Sequence, residues 1–71
     1  MKSKTVRSET LLGGDIVVIV KTTFSNSVSF SCYIIPIQQH SDPEIVLQNS
    51  TLADCETAFA ETLENDLCDI N

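Results

Sequence analysis

Ile16-Val17-Val18-Ile19-Val20-Lys21-Thr22-Thr23-Phe24 is the stretch that decides the fold. β-Branched side chains lose rotamer freedom in a helix and pack well on a pleated surface, so this run reads as a strand. Ile16, Val18, Val20 and Phe24 alternate with Val17, Ile19, Lys21 and Thr23, which leaves both faces apolar in the first half and argues for a central position in a sheet. Five residues, Ile16 to Val20, form the longest uninterrupted apolar run. That is far short of the ~20 needed to cross a bilayer.

On the C-terminal side, Ser25-Asn26-Ser27 is a turn sequence, and alternation then restarts with Val28, Phe30, Cys32 and Ile34 against Ser29, Ser31 and Tyr33. A second strand with one buried and one wetter face follows, ending near Pro36, which lacks the backbone donor a paired strand needs. After the polar loop Gln38-Gln39-His40-Ser41-Asp42-Pro43, the segment Glu44 to Gln48 can add a further short strand. Upstream, Thr5 to Leu12 fits either an edge strand or an irregular arm, and Gly13-Gly14-Asp15, which can reverse the chain directly into the central strand, favours an N-terminal hairpin.

Leu52, Cys55, Phe59, Leu63, Leu67 and Ile70 recur at spacings of three and four, one stripe of a helix. Thr51-Leu52-Ala53-Asp54 has the form of a capping box and sets the start. The expectation is one small α+β domain covering residues 1–71: a three- to four-stranded antiparallel sheet with one C-terminal helix packed on one face. The strands span about 5–11, 16–24, 28–36 and 44–48, and the helix about 52–68. Seventy-one residues cannot be divided into two units that each keep a core. With 42% hydrophobic and 20% charged residues the chain is too apolar to stay disordered.

Charge is unevenly distributed. Lys2, Lys4, Arg7 and Lys21 are the only basic residues, and from Thr22 onward the sequence has eight acids and no Lys or Arg. Such a field repels phosphates, so direct nucleic acid binding is disfavoured and a basic protein surface is attracted. Asp54, Glu61, Glu64 and Asp69 are placed opposite the apolar stripe of the helix and form a candidate partner-binding face. Glu64, Asp66 and Asp69 also crowd the negative end of the helix dipole with no cation nearby, which predicts electrostatic strain in the last turn.

A second candidate surface follows from layer geometry, because one helix covers only one face of the sheet. Val17, Ile19, Tyr33, Ile35 and Ile37 are assigned to the uncovered face, a possible homodimer contact.

Chemistry finds little support. His40 is alone in a polar loop, without a Ser or Cys nucleophile and carboxylate at triad-like spacing. Cys32, Cys55 and Cys68 form no C-x-x-C pair and no zinc-finger pattern, so neither a metal nor any other cofactor is expected. Cys32 and Cys55 fall on core faces and Cys68 on the outer helix face, and three widely spaced cysteines suit a reducing, cytoplasmic setting. The chain is therefore read as a non-enzymatic, acidic protein-binding inhibitor or adaptor that occupies a basic, nucleic-acid-handling surface, in the style of phage anti-defence (anti-CRISPR-like) proteins. The alternative is a small homodimeric regulatory module contacting its partner through the sheet. Its strand, strand, strand, helix order is similar to that of antitoxins with a partial RNase H-like fold.

Overall fold

The structure is a computed structural model that describes residues 2–38 and 42–68. Four strands, β1 (Lys2–Thr10), β2 (Ile16–Thr23), β3 (Val28–Ile35) and β4 (Glu44–Ser50), precede one helix, α1 (Leu52–Cys68). The sheet is an antiparallel meander in the order β1-β2-β3-β4. The helix packs on the β2, β3 and β4 part of one face. This is the α+β architecture read from the sequence, with the apolar β2 run in an interior position.

Each turn has a local cause. Between β1 and β2, Leu11 N–H donates to the Asp15 carbonyl at 2.7 Å and Gly14 N–H to the Leu11 carbonyl at 3.0 Å. Gly14 has φ +98°, a backbone conformation that favours glycine, and a Cβ there would stand 2.7 Å from Ile37 Cδ1, the tip of an exposed side chain that can swing aside. Phe24 N–H closes the β2–β3 hairpin on the Ser27 carbonyl at 2.8 Å. At the helix start, Thr51 Oγ1 accepts the Asp54 N–H at 3.2 Å, satisfying one of the free donors of the first turn.

Two strands run longer than their sequence pattern suggested. β1 begins at Lys2 and pairs with β2 down to Thr23, passing a bulge between Thr5 and Arg7 that accommodates Val6. β4 continues past Gln48 to Ser50. It does so through an irregular register in which Asn49 adopts φ 55°, a left-handed conformation Asn tolerates better than most residues. The Ser31 hydroxyl accepts the Asn49 N–H at 3.2 Å, and Ser31 is itself buried.

Val17, Ile19, Cys32, Cys55 and Phe59 form the fully buried core, with Phe30, Ile34, Leu47, Leu52 and Leu63 packed around it. This corrects the face assigned to β2. Val17 and Ile19 do not lie on the uncovered side; they sit beneath the helix at 0% exposure. The register is the reason, since Val17 pairs with Ile34 and Ile19 with Cys32, and directly opposed residues share a face. Because β2 is apolar on both sides, its own alternation could not choose between them. Phe24, expected on the buried side, lies beyond the end of β2 and is half exposed. The alternation in β3 holds for Phe30, Cys32 and Ile34, which meet the helix while Tyr33 and Ile35 face away, but Val28 of the first set is 49% exposed and Ser31 of the set expected to be wetter is buried.

Ile37 needs a separate correction. It follows β3 instead of extending it, its side chain rests on Gly14, and its N–H donates to Asp15 Oδ1 at 2.9 Å. It is therefore part of the connection that ties the β1–β2 turn to the end of β3.

Candidate interaction surfaces

At ~100° per residue, Asp54, Glu61 and Glu64 fall within about 40° of the line diametrically opposite Phe59, the helix residue at the centre of the core. All three are exposed. From Asp54 to Glu64 the ridge extends about 15 Å, at ~1.5 Å per residue. Thr57 lies between them and its hydroxyl donates to the Ala53 carbonyl at 3.1 Å, keeping that polar group within the helix. Asp69, the fourth member of the proposed face, lies outside the described residues, as do His40 and Ile70, and the side chains of Leu67 and Cys68.

Asp66 departs from the expected pattern. It is seven residues from Phe59 and so returns to the inward stripe, where it is partly buried. Its Oδ2 accepts the Leu12 N–H at 2.9 Å, joining the last turns of the helix to the β1–β2 turn. The negative helix end is thus relieved at Asp66 by a backbone donor, not by a cation. A sequence signal existed in the spacing from Phe59, but its partner is 54 residues away in the chain.

The basic residues are distributed by the strand register. Lys4 opposes Lys21, Lys2 opposes Thr23, and Arg7 opposes Ile19, which places all four cations on the helix-bearing side of the sheet. Arg7 reaches over the core edge, its guanidinium carbon 4.6 Å from the Phe59 ring centroid, a cation–π contact that also shields the ring. Glu9 and Glu44 oppose Val17 and Ile34 and share the same side.

The opposite face is different in kind. The register gathers Ile16, Val18 and Val20 of β2 with Tyr33 and Ile35 of β3 and Ile45 of β4 into an apolar area. Ser3, Thr5, Ser8 and Thr10 of β1, Thr22 of β2 and Ser29 of β3 continue it as a hydroxyl-bearing margin. Ile16, Ile35 and Ile45 are 37%, 43% and 55% exposed, whereas Val18 and the neighbouring Ser31 at the centre of the face are buried. None of these side chains is ionisable apart from the Tyr33 phenol.

Cys32 and Cys55 are free, buried thiols. Burial raises the pKa of each, assisted for Cys32 by the neighbouring Cys55 and for Cys55 by Asp54. Raised thiol pKa values oppose nucleophilic use and fit a packing role. A cleft of about 380 Å³ opens between α1 and β4, where Glu44 and Asp66 contribute carboxylates beside Ile34 and Val46. Among the described residues, no group of three or more His, Cys, Asp or Glu side chains could hold a metal ion. Nor is any described helix long and apolar enough to cross a membrane.

No protein-family model, characterised protein or solved structure matches the chain.

Proposed function

We propose that the protein works by binding another protein, presenting the Asp54–Glu61–Glu64 ridge to a basic surface that normally handles nucleic acid. The observation that carries this reading is the exposure of those three carboxylates on the side of α1 turned away from the sheet. The chain beyond Lys21 supplies no Lys or Arg to neutralise them. Carboxylates spaced along a helix can pair with Arg and Lys side chains built to hold phosphates, as an anti-defence inhibitor would. Binding of this kind is steered by long-range attraction and is screened by salt over ~8 Å at physiological ionic strength. The role is that of an inhibitor or adaptor in the cytoplasm, with no catalytic step.

The test is retention of nucleic-acid-handling proteins on the immobilised chain. Glu61→Lys with Glu64→Lys should weaken retention at least tenfold while circular dichroism is unchanged. Added DNA or RNA should compete, and retention should fall steeply between low and physiological salt. Retention that ignores salt and survives the double charge reversal would refute the ridge as the binding element.

A further inference from the structure

The sheet face remote from the helix carries an observation independent of the acidic ridge. Every Lys, Arg, Asp and Glu within the four strands, namely Lys2, Lys4, Arg7, Glu9, Lys21 and Glu44, projects on the helix-bearing side. The other side has none, although the chain carries a net charge of -6.

Shape points the same way. The molecule is a slab of 45 × 27 × 15 Å with a radius of gyration of 12.6 Å, against about 11 Å for a compact chain of this length. Its accessible surface is 5132 Å², whereas a compact monomer of this mass exposes about 4,400 Å². A standard interface takes ~800 Å² of surface from each partner.

From these features we infer that the chain is a homodimer in which two copies stack sheet against sheet, each through Ile16, Val20, Tyr33, Ile35 and Ile45. A second copy suits this face better than other occupants. Nucleic acid and anionic lipid surfaces would find no cation on it, and a basic protein would find no carboxylate. Two copies of a strongly negative chain repel unless their charges stay apart, and back-to-back stacking does this: the uncharged faces meet, about 10 Å between sheets, and both helices point outward. The contact is isologous, so it closes at two copies and leaves no apolar sheet face open for further growth.

Sedimentation equilibrium of the full chain tests this. The expected mass is twice the 7.8 kDa of one chain, with little change on adding salt. Ile35→Asp should shift the chain to monomer by weakening association at least tenfold. Ile45→Lys, on a more exposed edge position, provides the same test if the first variant loses its cooperative urea transition. Glu61→Lys with Glu64→Lys should stay dimeric, which separates this inference from the ridge. A wild-type chain that is monomeric at about 100 μM, well above the ~1 μM expected at the weak end for interfaces of this size, overturns it. So does a dimer that survives both Ile35→Asp and Ile45→Lys.

Discussion

Gly14 is set by its backbone. Its φ of +98° belongs to the region that side-chain-bearing residues avoid, whereas the nearby Ile37 Cδ1 is the end of an exposed side chain that can give way. Gly14→Ala should therefore lower the unfolding free energy by about 1–3 kcal/mol in urea titration. Pairing it with Ile37→Ala should recover only the part due to collision, leaving the backbone part. Cys32 and Cys55 provide a second expectation at this scale. Burial raises their pKa values in the fold, so the native state holds the thiol protons more tightly than the unfolded chain. With more protons bound in the native state, stability falls as pH rises. Their contribution is complete below the unfolded thiol value of about 8.5 and is lost as pH climbs from there through the raised native values. Urea titrations from pH 7 to 10 should show this decline in the wild type and a shallower one in Cys55→Ala. An equal slope in both would mean that the Cys55 thiol is not the titrating group.

At the scale of elements, the helix is joined to the sheet by more than its apolar stripe. Phe59 is covered by Arg7 from β1, and Asp66 is bonded to the Leu12 N–H in the β1–β2 turn. That turn is held in addition by Asp15, which accepts the Ile37 N–H beyond β3. One turn thus gathers the end of the helix and the exit of β3 through two carboxylates. Asp66→Ala should cost about 1 kcal/mol, the usual worth of one such bond at a partly exposed site. It should also speed hydrogen exchange of the Leu12 amide in particular. Unchanged exchange at Leu12 would show that the bond does not hold the turn in solution. Thr51 acts at the opposite end of the helix by a local rule, its hydroxyl capping the Asp54 N–H.

Across the whole molecule, charge is sorted into layers. The outermost ridge of the helix is anionic, the helix-bearing side of the sheet holds all four cations, and the remote sheet face has no charge. The ridge and the remote face lie on opposite sides of a slab only 15 Å thick. Substitutions on one should therefore be close to additive with those on the other. In a stacked dimer the two ridges would face outward in opposite directions and could engage two basic surfaces at once. A triple variant with Ile35→Asp and both helix charge reversals is expected to lose dimerisation and retention by separate increments. A strong departure from additivity would indicate that the two surfaces act through a common contact.

Local order was legible in the sequence. The β-branched run, the Ser-Asn-Ser turn, the Thr51 cap and the three-and-four spacing of the helix each act over a few neighbouring residues, so their outcome is written in adjacent positions. The same holds for the exposure of Asp54, Glu61 and Glu64, which depends on helical periodicity alone. What the tertiary structure decided was which side of β2 meets the helix. Val17 and Ile19 are as apolar as Ile16 and Val18, so the choice rested on their registration with Ile34 and Cys32 in the neighbouring strand. The Arg7–Phe59 contact and the Asp66–Leu12 bond were hidden for the same reason. Each joins residues far apart in the chain, and pairing over such distances is fixed only when the strands have registered and the helix has docked.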